Sequence, residues 1–279
     1  MTIVRAACIQ MRSTTEIAPN IEATSALIRA AVADGASFVA TPEMTNLLDI
    51  RPGQARSKVR AEAEDECLKA LSDLAATLGI TLLIGSLAIA LPDDARFANR
   101  SYLIGPDGNI LARYDKIHMF DVEVGDGQSY RESKAYRAGR RAVLADMSAG
   151  RVGLTICYDV RFPHLYRSLA QAGADLITIP SAFTRVTGDA HWHVLVRARA
   201  IETGSFVLAP AQGGQHDDGR ETFGHSLIVS PWGEILAEAA HDRPGYVIAD
   251  LDLTAVEKAR ARIPALHNDP SISLDATER

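Results

Sequence analysis

Four times along this chain a helix-length segment stops at a glycine, and a short apolar strand-like run begins a residue or two later. The glycines are Gly35, Gly79, Gly173 and Gly204. A glycine just past a last helical turn adopts the left-handed backbone at little cost and so ends the helix cleanly. A chain written in this unit folds by laying helices on the outside of sheets whose strands they connect. The repetition is one of architecture and has no solenoid period. Hairpin signals interrupt it, most clearly Gly105-Pro106-Asp107-Gly108-Asn109, so the sheets are expected to be mixed rather than purely parallel. Pattern alone leaves open whether the layers form one open three-layer sheet or a larger stack.

Read in order, residues 4–9 predict a strand, 19–34 a helix with Ile21, Leu27, Ile28 and Val32 near one face, and 37–40 a second strand. A helix over 59–78 follows, then a long strand over 80–90, short strands over 102–104 and 110–113, and a hairpin of 143–147 with 152–156. The second half repeats the grammar: helix 164–172, strand 175–179, helix 189–203, strand 206–209. Strands over 227–229 and 234–237 flank Pro231-Trp232-Gly233, and strand 246–250 and helix 254–262 close the series. Residues 125–139 form the longest irregular polar stretch, of the kind that is usually functional. No linker divides the chain, so residues 1–267 are expected to form a single domain and 268–279 a polar tail.

A chain of 279 residues with 47% hydrophobic content can bury one large core. The formal net charge of −6 and the lack of a basic run argue against a nucleic-acid partner. Cys8, Cys67 and Cys157 make no even disulfide framework and no CxxC pair, which points to a reducing compartment and against a thiolate metal site. No stretch reaches the apolar length of a membrane span, and the N-terminus opens directly on a strand without a signal-like segment. A cytoplasmic protein is the default expectation.

Three chemistry-bearing side chains stand where apolar runs end. Glu43 follows Phe38-Val39-Ala40-Thr41-Pro42, whose proline removes a backbone donor and stops the ladder. Lys116 follows Leu111-Ala112-Arg113-Tyr114-Asp115. Cys157 follows Val152-Gly153-Leu154-Thr155-Ile156 at a polar bend, where a nucleophile can be exposed at a sheet's end. Each has a bland reading: a solvated loop carboxylate, a surface cation beside Asp115, a small buried hydrophobe such as Cys8 inside its apolar run. Together they are harder to dismiss.

The segments around these residues closely resemble the nitrilase superfamily of carbon–nitrogen hydrolases, and within it the Nit-type amidases. The matching stretches are Lys116-Ile117-His118-Met119-Phe120-Asp121, Cys157-Tyr158-Asp159-Val160-Arg161-Phe162-Pro163, Pro180-Ser181-Ala182-Phe183-Thr184, Ala190-His191-Trp192, Arg197-Ala198-Arg199-Ala200-Ile201-Glu202 and Gly224-His225-Ser226 with Pro231-Trp232-Gly233. The chain departs from the family pattern at Ala138-Gly139, where Pro-Gly is common, and at His267-Asn268-Asp269-Pro270 in the tail.

The resemblance implies a four-layer α-β-β-α sandwich with two mixed sheets and a Glu43-Lys116-Cys157 triad. Amide hydrolysis needs a nucleophile, a base, a proton for the leaving amine and oxyanion stabilisation. A thiol is only a few per cent ionised at neutral pH, so Glu43 would take the Cys157 proton, its proton affinity raised by a closed pocket. Lys116 and the Tyr158 backbone N–H would stabilise the oxyanion. Glu132 matches the family's second glutamate and would hold Lys116 and orient the substrate. Arg161, just past the bend, is placed either to grip a substrate carboxylate or to form a structural ion pair with Asp159. Thr187 and Phe183 are read as pocket residues. His191 and His193, two apart, diverge on a helix, and His118 has no ligand at metal spacing, so no metal is expected. No glycine-rich phosphate loop is present, and no cofactor is expected.

Cys157-Tyr158-Asp159 differs from the Cys-Trp-Glu usual in true nitrilases and favours the amidase branch. Residues 211–214 and 220–226 are more like deaminated-glutathione amidases; an ω-amidase acting on 2-oxoglutaramate is the alternative. Carbamoylases, nitrilases and a non-catalytic module on the same fold stand further off. The family also implies at least a homodimer, through helix 164–172 with Leu165 and Leu169 as contacts.

Overall fold

The computed structural model describes residues 3–49, 51, 53–125, 129–268, 270, 273 and 275. In chain order the strands are β1 Ile3–Gln10, β2 Phe38–Ala40, β3 Thr81–Ala90, β4 Phe97–Ile104, β5 Ile110–Asp115, β6 Asp121–Glu123, β7 Ser129–Arg131 and β8 Val143–Met147. They continue with β9 Gly150–Leu154, β10 Leu176–Thr178, β11 Phe206–Ala209, β12 Gly213–Gln215, β13 Glu221–Phe223, β14 Leu227–Val229, β15 Ile235–Glu238 and β16 Gly245–Asp252. The helices are α1 Ile17–Ala33, α2 Glu66–Leu78, α3 Pro163–Gln171, α4 Arg185–Thr203 and α5 Thr254–Arg262.

Two six-stranded sheets share one pattern of parallel and antiparallel pairing. The first runs β16-β1-β2-β3-β4-β5 and the second β8-β9-β10-β11-β14-β15. In each, three central strands are parallel and the flanking pairs antiparallel. The helix–glycine–strand units are the crossovers of the parallel strands: α1 and α2 in the first sheet, α3 and α4 in the second. Parallel pairs need such crossovers, whereas β3-β4, β4-β5, β8-β9 and β14-β15 are joined by short connections and β16 returns from the far end of the chain to pair with β1.

The layering follows from side-chain alternation. On β1, Ala6 and Cys8 join the cluster shared with the second sheet, while Ala7 and Ile9 join α1 and α2. On β3 and β4, Leu83 and Leu103 face the second sheet, whereas Leu82, Ile84, Tyr102 and Ile104 face the helices. Strands covered on both faces read as continuous apolar runs, which is why β1 and β3 stood out in the sequence. The stack is therefore helix, sheet, sheet, helix. Cys8 lies between the sheets, its thiol 3.6 Å from the Leu227 carbonyl on β14.

Several boundaries differ from the sequence reading. The helix expected over 59–78 starts only at Glu66, because the Asp65 carboxylate accepts the Leu68 N–H at 2.7 Å and caps it there. Before it lie two single 3₁₀ turns and an extended contact of Ala61 with Ala90. The strand expected over 102–104 is the eight-residue β4, since Phe97–Arg100 pair with β3 beyond a bulge. α4 begins at Arg185, four residues early, with Thr184 as its cap. The stretch 125–139 contains β7, paired with β6, and a 3₁₀ turn at Glu132–Lys134, while residues 126–128 lie outside the described residues. Most of the expected tail, namely 269, 271, 272, 274 and 276–279, also lies outside them. Leu165 and Leu169 are buried within the chain, on the face of α3 that packs on the second sheet. The expectation that they contact a second subunit is thereby corrected: the apolar stripe of this helix is used inside the fold. Among the described residues no helix is long and apolar enough to cross a membrane.

Candidate active site

Both sheets present the carboxyl ends of their parallel strands to one cleft, the usual location of sites in sheets of this kind. Glu43 lies just past β2, Cys157 just past β9, and Pro180-Ser181-Ala182 just past β10. Gly85, at the bulge of β3, lets them meet. A Cβ there would overlap the Thr41 carbonyl oxygen and stand 2.5 Å from that of Pro42 and 2.6 Å from the Pro180 Cβ. The residue is a close-approach glycine, required by space rather than by its dihedral angles.

Cys157 opens a 3₁₀ turn, Cys157–Arg161, with φ of 49°. Met44, next to Glu43, has φ of 58°. A left-handed backbone at non-glycine residues is strained, and such strain clusters at functional sites. Here the surroundings impose it. The Cys157 N–H donates to the Pro180 carbonyl at 2.9 Å, and the Met44 N–H to Ser86 Oγ at 2.9 Å. The fully buried Asp159 carboxylate ties the turn down by accepting from the Ile156 N–H at 2.8 Å, the Tyr114 hydroxyl at 2.7 Å and the His118 N–H at 3.1 Å, with the His118 ring Nδ1 at 2.7 Å. The Tyr158 N–H precedes the first i→i−3 bond of the turn, from Asp159 to Ile156 at 3.1 Å, and so has no acceptor within it.

Lys116 joins the two glutamates. Its Nζ is 2.9 Å from Glu43 Oε1 and 3.0 and 2.8 Å from the two oxygens of Glu132. The Asn99 side-chain amide donates to both carboxylates, at 2.8 Å to Glu43 and 3.1 Å to Glu132. The other Glu43 oxygen accepts the Ala182 N–H at 2.8 Å, and Glu132 also accepts the Phe120 N–H at 2.7 Å. Gln212 fixes the loop behind Glu43, donating to the Glu43 carbonyl at 3.0 Å. Glu43, Lys116 and Cys157 are all buried.

The electrostatics correct one expectation. Burial does push the Glu43 carboxyl up, but the Lys116 ammonium, with help from Asn99 and the Cys157 thiol, outweighs it and holds Glu43 below the ordinary carboxylate range. Its proton affinity is thus lowered at rest. Burial, then the Glu43 charge, pushes the Cys157 thiol well above its ordinary value, against the pull of Lys116. Lys116 is held well above its ordinary value because the charges of Glu132 and Glu43 outweigh the burial that opposes them. At rest the site holds a thiol, a carboxylate and an ammonium.

A cavity of about 610 Å³ opens onto these groups. Phe120, Tyr130, Tyr158 and Phe183 provide aromatic wall, and Thr184 and Thr187 a polar edge, their hydroxyls 2.7 Å apart. Glu43, Lys116, Cys157, Glu132, Tyr158, Phe183 and Thr187, all singled out from sequence, line this one space. Arg161 packs on the residues of this wall, its guanidinium 5.4 Å from the Phe183 ring centre, 6.0 Å from that of Tyr158 and 3.2 Å from His191 Nδ1. The alternative ion pair with Asp159 does not form, because Asp159 serves Tyr114, His118 and Ile156. His118 has a carboxylate partner after all, brought from 41 residues away. Sequence reasoning missed Asn99, inside what becomes the longer β4, Tyr114 and the Ala182 N–H. It also missed Arg220, on the turn between β12 and β13, which lines the same cavity. None has a local signal, since each acts through partners far along the chain.

The carbon–nitrogen hydrolase family profile matches residues 5–261. A deaminated glutathione amidase of Synechocystis is 41% identical over 266 residues, covering 94% of this chain and 97% of that protein. Among solved structures, the Caenorhabditis elegans NitFhit protein superposes with a TM-score of 0.88 at 34% identity over 96% of this chain, which spans 65% of that longer one. Saccharomyces cerevisiae Nit3, a member of branch 10 of the nitrilase superfamily, gives 0.84 at 29% identity, covering 94% of this chain and 95% of its own. With the profile spanning nearly the whole chain, this protein belongs to the carbon–nitrogen hydrolase family.

Proposed function

We propose that the protein is a thiol amidase that hydrolyses deaminated glutathione through an acyl-enzyme on Cys157. The observation that carries the reading is the convergence of a buried thiol, carboxylate and ammonium on the floor of one cavity. In this mechanism the Cys157 sulfur attacks the amide carbonyl while its proton passes to Glu43. Lys116 and the Tyr158 N–H stabilise the oxyanion, and Glu43 returns the proton to the leaving amine. Water, activated by Glu43, then cleaves the thioester. Glu132 and Asn99 hold Lys116 and Glu43 in register. Tyr158, Phe183 and Thr187 contact the substrate, and Arg161 packs on the two rings.

The choice of substrate draws on the likeness to the deaminated glutathione amidase of Synechocystis and on the cavity. Deaminated glutathione is a tripeptide-sized dianion, an amide between 2-oxoglutarate and cysteinylglycine. The lining includes Arg56 and Lys134 beside Arg51, Arg96, Arg131 and Arg220, which pair with Asp49, Asp94, Glu123 and Asp218, so cations are at hand for the substrate's carboxylates. The space lies within the range usual for small-molecule sites. Three free cysteines suit a reducing compartment such as the cytoplasm. The reading includes a homodimer, for which exposed Val186, Val194 and Ile201 on the outer side of α4 offer a surface; sedimentation at the monomer mass would refute that part.

The test measures 2-oxoglutarate formed from deaminated glutathione and from 2-oxoglutaramate, with Cys157→Ala as control. Faster turnover of deaminated glutathione, abolished in Cys157→Ala, is expected. Faster turnover of 2-oxoglutaramate would make the protein an ω-amidase, and turnover of neither would overturn the reading.

A further inference from the structure

Outside the cavity, three potential metal ligands from three separate segments meet at the surface: His193 on α4, His225 in the turn before β14, and Glu238 at the end of β15. His193 Nε2 lies 2.9 Å and His225 Nδ1 3.2 Å from Glu238 Oε1, and the three ligand atoms lie within 4.8 Å of one another. Spacing within α4 argued against a metal held by His191 and His193 together; in the structure His191 turns to Arg161 and His193 to Glu238. Spacing within one helix carries no information about ligands drawn from three elements.

The cluster is built rather than incidental. His225 has φ of 55°, a costly backbone for a non-glycine residue. It is held there by the Trp192 Nε1–H donating to its carbonyl at 2.8 Å and by its own N–H donating to the His241 carbonyl at 3.2 Å. Its ring stacks on Phe223 at 4.3 Å and 20°, and His193 meets the same Phe223 edge-on at 6.1 Å. Phe223 can lie this close to α4 only because Gly188 has no side chain, as a Cβ there would overlap the Phe223 Cβ and Cγ. Both imidazoles are thus oriented by packing against Phe223.

We propose that His193, His225 and Glu238 form a divalent-cation site, with zinc as the best-matched ion. Tetrahedral zinc with bonds of about 2.0–2.1 Å places its ligand atoms about 3.3 Å apart. Two edges of the triangle therefore open by only a few tenths of an ångström, while the imidazole nitrogens close in. Two imidazoles and a carboxylate are a zinc donor set, and all three side chains are partly exposed, which leaves water the fourth position. The ion would clamp α4, whose first turn edges the substrate cavity, to β14 and β15.

The test is calorimetric titration of the full chain, free of any affinity tag, with zinc chloride. A Cys157→Ala background removes the accessible thiol. Cobalt(II) absorption in the visible region reports coordination geometry. One equivalent of zinc, an intense tetrahedral cobalt band, and at least tenfold weaker binding in both His193→Asn and Glu238→Gln are expected, with His191→Asn unchanged. Circular dichroism of each variant checks that it folds. No binding at millimolar zinc would overturn the proposal and leave a hydrogen-bonded His–Glu–His cluster. Binding that both ligand variants retain would overturn it equally.

Discussion

Lys116→Met keeps most of the side-chain volume and removes the cation between two buried carboxylates. The Nζ makes three contacts of 2.8–3.0 Å to Glu43 and Glu132, and both Lys116 and Glu43 are at most 4% exposed. Breaking such a pair from one side costs about 3–5 kcal/mol, because the charge left behind is buried and unpaired. In the variant Glu43 and Glu132 share only the Asn99 amide, and the least costly relief is uptake of one proton by the pair. Proton uptake contributes about 1.4 kcal/mol per pH unit. The deficit at pH 7 should therefore shrink by up to about 2.7 kcal/mol at pH 5. In the unsubstituted protein the Glu43 pKa is depressed on folding. Its contribution is present above the ordinary carboxylate range and is lost only as pH falls through the lower folded value, so this group changes little between pH 7 and 5. Urea unfolding followed by circular dichroism at both pH values reads the difference. Lys116→Met/Glu132→Gln, which removes one of the two opposed charges, should recover much of the stability while hydrolysis stays lost. An equal deficit at both pH values, or a double variant no more stable than the single one, would refute the reasoning.

Gly85→Ala should lower the melting midpoint by about 5 °C or more and reduce turnover, since the added Cβ separates the Glu43 loop from Pro180; an unchanged midpoint would mean that the strand ends do not meet there. Asp159→Ala should destabilise by about 3 kcal/mol or more, because it strands the Tyr114 hydroxyl and two backbone N–H groups at 2.7–3.1 Å from the lost oxygens. Guanidinium unfolding measures it, and a loss below 1 kcal/mol would show that these donors find other partners. Burial raises all three cysteine thiols on folding. The unfolded chain then releases their protons first, and stability falls as pH rises above the ordinary thiol value of ~8.5, by up to about 4 kcal/mol per pH unit for three thiols. Urea midpoints from pH 8 to 10 test this, and a flat profile there would contradict it.

What the sequence determined by itself is what short stretches encode. Apolar periodicity, glycine stops and the Gly105–Asn109 turn are local, and they sufficed for the helix–strand alternation and for the places where strands end. Because ligand sites in parallel sheets gather at strand ends, Glu43, Lys116 and Cys157 were legible there, and the family resemblance supplied their grouping with Glu132. Local signals misjudged the start of α2, where the side chain of Asp65 overrides a continuing helical pattern, and the use of Leu165 and Leu169, whose apolar face could equally meet a sheet or a second subunit. Tertiary structure alone decided which strand ends face one another, because that depends on contacts between residues as distant as Glu43 and Ala182, 139 positions apart. It also decided the charge state of the site. Burial by itself would raise the Glu43 carboxyl, and only an ammonium from 73 residues away reverses the sign. Asn99, Asp159 and the His193–His225–Glu238 cluster belong to the same class: each residue is ordinary in its own segment and acquires a role only from partners that the packed sheets bring within 3 Å or so.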